Sequence, residues 1–314
     1  MITLSVVVPV RDGDPYIADA LTSLVRNVSD TFRTEVIVVD DGSVDATPEV
    51  IDDFRGELPG LSVITNPAPV GLADARNLGL KLATGRYVTF LDGDDWLAPG
   101  YLAQLVSAID GLGCDFLRVD HVRADGRKRE TFRAPEARRN VVLSPRDSIL
   151  PTDGKTMVDY AFAWAGIYRR ELGELLAFPS GLHTAEDRPW IWRLHQRARS
   201  YAMVSLAGVF YRRGLAASLT QIGDERQLHF FDAFDLVLAE VEKEFQPKAI
   251  RMFCALLANH LENGSRFTQE IADQFEGRGG ATLTRLPADL VDDAIASFEP
   301  ARQTMLLRLR EEES

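Results

Sequence analysis

The chain has 314 residues, 46% of them hydrophobic and 26% charged, enough for a substantial core around one large domain with an addition. Its formal net charge of −12 repels polyanions, which excludes broad, non-specific binding to nucleic acid or to anionic lipid while leaving room for a local basic face. Two cysteines, Cys114 and Cys254, stand far apart with no CxxC or Cys/His spacing, the pattern of two buried free thiols in a reducing compartment and not of a zinc site.

The first residues, MITLSVVVPV, are apolar but lack a basic leader and are interrupted by Pro9, Arg11 and Asp12, so they read as a strand. No stretch reaches the ~18 uninterrupted apolar residues a membrane helix needs. The expected location is cytoplasmic, with peripheral contact at the inner face of the plasma membrane left open.

Residues 4–10, 35–39, 61–65 and 86–91 are short runs rich in β-branched residues, the signature of strands covered on both faces. Amphipathic segments of helical period lie between them at 15–27, 45–55 and 72–84. This alternation predicts a parallel α/β sheet over residues 1–112, with ligands gathering beyond the carboxyl ends of its strands. Those ends carry Pro9 to Asp12, Asp40-Asp41-Gly42-Ser43, Asn66, and the cluster Asp92, Asp94 and Asp95 in RYVTFLDGDDW. Asp45 or Ser43 suits a helix cap. Carboxylates at several strand ends on one rim repel each other unless a cation or hydrogen-bond donors offset them.

After residue 113 the alternation fails. Residues 114–123 read as a strand, 124–126 as a turn, and the basic run RKRETFRAPEARR at 127–139 as a second strand leading into a loop. That run is either a solvated face or a surface for an anionic acceptor. Residues 140–225 mix elements. From about 226 to the end the pattern is helical, with Phe230, Phe231 and Phe234 read as core, and with Gly264 and the GRGG at 277–280 read as breaks. The division expected is 1–224, comprising a nucleotide-sugar part (1–112) and an acceptor part (113–224), followed by a helical region, 225–314.

A hard divalent cation takes oxygen ligands, commonly one or two carboxylates together with phosphate oxygens, and a DxD turn supplies the carboxylates. Taken in order, SVVVPVRDGDPYI, VIVVDDGSVDAT, NPAPVGLADARNLGLKLATGRYVTFLDGDDWL and HTAEDRPW resemble the family 2 glycosyltransferases of the GT-A fold over roughly residues 3–220. The resemblance implies a Rossmann-like GT-A domain with a helical C-terminal extension, acting on a nucleotide-diphosphate sugar. By it, Pro9 and Asp12 line the nucleotide pocket, with Arg11-Asp12 replacing the family's usual aromatic-Asn pair. Asp40 and Asp41 offer a carboxylate to the base, and Arg76 reaches toward base or diphosphate. Asp92 lies near the ribose and, with Asp94, at the metal. Asp95 stands behind them. Asp187 is the implied catalytic base, with Glu186 beside it.

The cation implied is Mn²⁺ or Mg²⁺, the donor most commonly a UDP-sugar, with dTDP- and GDP-sugars as competitors. The acceptor is a glycan, glycopolymer or lipid-linked intermediate of cell-surface polysaccharide or cell-wall synthesis. One base and one metal on opposite sides of the reacting carbon suit a single in-line displacement with inversion. FYRRGLAASLT resembles a segment in which Tyr211, Arg213, Ser218 and Thr220 are candidates, Arg213 for the diphosphate. From the residues themselves, Thr184 reads as an N-cap with Glu186 and Asp187 in the first turn. His183 reads as a local hydrogen-bonding residue, Trp190 as core, and Trp192 as outward-facing.

The QxxRW segment and membrane spans of processive synthases are missing from the sequence, so a non-processive or weakly processive enzyme is expected. A nucleotidyltransferase would want a glycine-rich basic loop after the first strand, which VPVRDGDPYI does not supply. A non-catalytic nucleotide-sugar-binding or scaffold protein on the same fold stays open, as does self-association through the C-terminal helices.

Overall fold

A computed structural model describes residues 1–215 and 221–312. Ser218 and Thr220 lie outside the described residues. The chain runs β1 (Leu4–Val10), α1 (Asp14–Val25), β2 (Thr34–Asp40), α2 (Thr47–Asp53), β3 (Leu61–Thr65), α3 (Leu72–Leu82) and β4 (Tyr87–Phe90). β1 is buried at every position, as its run of valines dictates, and sits between β2 and β4 with Val7 opposite both Ile37 and Phe90. These four strands are parallel, so the ends of β1, β2 and β4 open on one side of the sheet. β3 is the edge strand and correspondingly only partly covered, not buried on both faces as its composition suggests.

Next come β5 (Trp96–Leu97), α4 (Tyr101–Leu112), β6 (Phe116–Val119), β7 (His121–Asp125), β8 (Lys128–Phe132), β9 (Val142–Leu143) and β10 (Gly166–Arg169). They are followed by α5 (Asp187–Arg197), β11 (Tyr201–Val204) and β12 (Val209–Arg212). The large sheet has the order β3-β2-β1-β4-β10-β6-β11-β9, with β10 antiparallel to both neighbours, and a smaller sheet has the order β5-β12-β7-β8. The single strand expected over 114–123 is therefore two, divided at Asp120. Its buried carboxylate accepts hydrogen bonds from the Ala134 amide and Arg139, anchoring the loop where the chain passes between sheets. In the basic run, only 128–132 is strand. Arg138 pairs with Glu136 and Arg139 with Asp120, so part of its charge is engaged internally.

The C-terminal region is α6 (His229–Glu240), α7 (Gln246–Glu262), α8 (Gln269–Arg285), α9 (Ala288–Ala296) and α10 (Pro300–Glu312). Phe230, Phe231 and Phe234 are buried and pack with Phe253, while Phe230 and Phe231 also meet Phe275, as the apolar stripe predicts. The GRGG at 277–280 breaks nothing: it lies within α8, where Gly279 faces Leu257 so closely that a Cβ would stand 3.1 Å from a leucine methyl. Glycine here sets the distance between α8 and α7.

This region packs on α5, and one continuous core runs through both parts. Arg146 donates to Glu242 at 2.7 Å and also pairs with Glu244. Lys248, 1% exposed, donates to the Gly154 carbonyl at 2.6 Å and to Asp159 at 2.7 Å. Burial works against the ammonium and lowers its pKa, with Asp159 opposing that shift. Lys248→Ala strands the Gly154 carbonyl and leaves a void, and should cost about 2 kcal/mol because Asp159 is partly solvated. Lys248→Met, which keeps the stem, should cost less. Urea unfolding of the two variants checks the order.

Candidate active site

The site begins where β4 ends. Gly93 of the DxD turn donates its amide to the Pro9 carbonyl at 3.2 Å, and a Cβ there would strike Val10, so only glycine lets this turn lie against β1. Pro9 is buried within β1, whereas Asp12 is exposed, at φ +48. The Asp12 carboxylate accepts from the Val44 amide at 2.9 Å, and its own amide donates to the Ser43 hydroxyl. Asp45 accepts from the Thr47 amide at 3.0 Å but is not the cap of α2, a position that Ala46 takes.

Adjacent residues of the β2 end do different work. Both Asp41 oxygens are engaged, by the Asn66 side chain and Val70 amide at 2.8 Å each and by the Gly71 amide at 2.9 Å, fixing the loop that leads into α3. Asp40 accepts from the Ser43 amide through Oδ1, while its buried Oδ2 meets no hydrogen-bond partner among the described residues. Such an oxygen is costly unless a donor meets it.

Arg76, from α3, connects the two sides of the crevice. Its guanidinium, 3% exposed, donates to Asp92 at 2.8 Å and to Glu186 at 2.6 Å. Burial opposes its charge, yet Asp92 and Glu186 more than offset this and its pKa is raised. Asp187, next to Glu186 at the start of α5, keeps a partly exposed carboxylate, 3.9 Å from Arg188. Burial pushes its pKa up to about 7; Arg188 opposes the shift, and Glu186 and Asp92 add to it. A carboxyl poised there is suited to exchange a proton near neutrality.

Asp94 is pushed up to about 6, by burial first and by the charge of Asp92 second. Asp95 is raised well above the usual range by burial first, then by the charges of Asp94 and Asp92; it accepts from the Arg212 amide at 2.7 Å, and its other oxygen meets no partner among the described residues. Three carboxylates thus crowd one turn with little to neutralise Asp94. Among the described residues no three acidic, histidine or cysteine side chains converge to hold an ion by themselves. The arrangement fits a cation that takes one or two carboxylates and completes its shell from a diphosphate.

The structure brings Arg76, Asp92, Asp94, Glu186 and Asp187 together and sets Asp40, Asp41, Pro9 and Asp12 along the same strand ends. Arg213 is exposed, its guanidinium 3.4 Å from the Tyr211 hydroxyl. Sequence reasoning passed over its neighbour Arg212, which donates to the Asp94 carbonyl and to Asp19 at 2.8 Å each while stacking over Trp96 and Tyr16. The alternation of Phe210 and Arg212 on the face of β12 nearest Trp96 was the available signal. Thr184 is not the cap of α5: its hydroxyl donates to the Arg226 carbonyl, and Glu186 takes the cap position. Trp192 is 1% exposed rather than outward-facing, because α5 packs against α6 and the segments near Arg146 and Met157. Trp190 is core, stacked on Phe178.

These elements form an open α/β sheet with an acidic turn at its strand ends and a second carboxylate across one crevice. Residues 5–175 match the family described as Glycosyl transferase family 2, and the chain belongs to that family. It is 30% identical over 228 residues to a Bacillus subtilis protein named as the uncharacterized glycosyltransferase EpsJ, covering 70% of this chain and 63% of that protein. It is 27% identical over 249 residues to the Staphylococcus aureus poly(ribitol-phosphate) β-N-acetylglucosaminyltransferase TarS, covering 77% and 41% respectively. The matched span is thus less than two thirds of the length of these relatives. The fold is that of TarS residues 1–349 in complex with UDP-GlcNAc, at a TM-score of 0.73 and 21% identity over 99% of this chain and 88% of that one. No helix among the described residues is long and apolar enough to cross a membrane.

Arg76→Ala should leave Glu186 buried beside unbalanced charge and cost about 3–5 kcal/mol, with Arg76→Lys recovering part of it because an ammonium cannot span both carboxylates equally well. Chemical denaturation of the two variants decides this; equal stability to the parent would show that the bridge is not formed.

Proposed function

We propose that the chain transfers a sugar from a nucleotide-diphosphate donor, a UDP-sugar, to an acceptor hydroxyl with inversion at the anomeric carbon. The observation that carries this is the pairing of the Asp92–Asp94 turn with Asp187 across one crevice, joined through Arg76. The unpartnered Asp40 Oδ2 suits the imide N–H of uracil, while Asp41 shapes the loop beside it. Pro9 and Asp12 flank the base and Asp92 the ribose. Asp94, with Asp92, would hold Mn²⁺ or Mg²⁺, which supplies positive charge to the departing diphosphate. Arg213, exposed beside Tyr211, would add a guanidinium to the diphosphate.

Asp187 takes the proton from the acceptor hydroxyl as that oxygen attacks, and Glu186 keeps the start of α5 in place by its bond to Arg76. Half-buried Phe162 and Tyr211, 6.0 Å apart beside buried Trp164, offer apolar faces on the acceptor side. The TarS name, poly(ribitol-phosphate) β-N-acetylglucosaminyltransferase, supports a glycopolymer acceptor of cell-wall or surface polysaccharide type and an N-acetylhexosamine donor. The exposed Arg127, Lys128, Arg129 and Arg133 suit an anionic acceptor on a chain that is otherwise acidic.

Nucleotide release from UDP-, dTDP- and GDP-sugars tests the reading. A single donor should be turned over with Mn²⁺ or Mg²⁺, not with chelator, and not by Asp94→Ala. Release unaffected by chelator would remove the metal from the scheme. Asp187→Asn should lower turnover by about 10²–10⁴-fold while retaining UDP binding, and normal turnover would refute the assignment of the base. Because the base acts unprotonated, turnover should rise with pH and level off above about 7. A flat profile from pH 5.5 to 8 would contradict a base whose pKa burial has raised.

A further inference from the structure

The short segment that delivers Asp187 is held from outside. The His183 amide donates to His229 Nδ1 at 2.9 Å, and the Thr184 hydroxyl donates to the Arg226 carbonyl at 2.6 Å. The two imidazoles stack with centroids 5.2 Å apart and planes 28° from parallel. On the opposite side the His183 ring covers Gly71, where a Cβ would stand 2.8 Å from Nδ1, and the Gly71 amide donates to Asp41. Arg76 fixes Glu186.

Between these anchors Ala185 adopts φ +59, a left-handed backbone that a residue with a Cβ disfavours. A non-glycine residue keeps that conformation only when its surroundings impose it. Arg226 and His229 belong to the helical region, one just before α6 and the other its first residue. To accept from a backbone amide, His229 Nδ1 must be without a proton, which places the ring proton of the neutral side chain on Nε2. His229 is half-buried, so its ring is not what holds α6 in the core; Phe230, Phe231 and Phe234 do that.

We propose that His229 is a positioning residue for the transfer reaction: by accepting the His183 amide it fixes the left-handed turn that aims Asp187 into the crevice. The helical region is thereby part of the catalytic unit. This rests on Asp187 being the base.

The test compares His229→Ala with His229→Asn, whose side-chain oxygen can replace Nδ1 as acceptor, in the full chain. Amide hydrogen exchange is followed over 181–189 and over α6 and α7, and kinetics use the donor that the nucleotide-release panel identifies. His229→Ala should speed exchange at His183 at least tenfold and lower kcat about tenfold with KM for the donor unchanged. His229→Asn should recover both, and α7 should exchange as in the parent chain. Unchanged exchange at His183 overturns the proposal with no donor needed. So does a parental kcat in His229→Ala while Asp187→Asn is inactive, or a failure of His229→Asn to recover accompanied by faster exchange throughout α6 and α7. An active Asp187→Asn would instead overturn the assignment of the base.

Discussion

The buried guanidinium of Arg76 holds one carboxylate from each side of the crevice, Asp92 from the β4 end and Glu186 from the start of α5. Taking a cation out of water costs several kcal/mol, and two carboxylates at hydrogen-bonding distance oppose that cost. The pairing also decides where the remaining charges stand. With Asp92 and Glu186 engaged by Arg76, Asp94 and Asp187 are the neighbouring carboxylates it does not bind, and both are shifted toward neutrality by burial and by their acidic neighbours.

A second clasp acts on the other flank of the DxD turn. Arg212 uses its amide on Asp95 and its guanidinium on the Asp94 carbonyl and Asp19, so the small sheet is fastened to the turn it overhangs. A third runs from Asp41 through Gly71 and His183 to His229. Each clasp joins segments distant in sequence. The site is therefore a property of the closed fold, and its pieces have no reason to take these positions separately.

That distribution explains what the sequence disclosed. The parallel strands, their acidic ends and the Phe230–Phe234 core were legible because period and composition are local signals. The functional difference between Asp40 and Asp41 was not, since adjacent strand residues point to opposite faces and only the partner loop shows which carboxylate is engaged. Trp192 and the glycines of α8 were misread for a related reason: burial on every side of α5 and the close approach of α7 to α8 depend on neighbours that no local pattern names. Arg212 was passed over for Arg213 because the two are chemically alike and only register distinguishes them.

A crystal structure of the chain with UDP and Mn²⁺ would bear on the central claim most directly, that Arg76 joins a donor side and a base side into one site. The account predicts uracil against Asp40, the diphosphate and ion at Asp94, and Arg76 still bonded to Asp92 and Glu186 with Asp187 facing the nucleotide. Nucleotide bound away from the DxD turn, or Arg76 parted from Glu186 with Asp187 turned from the crevice, would contradict it.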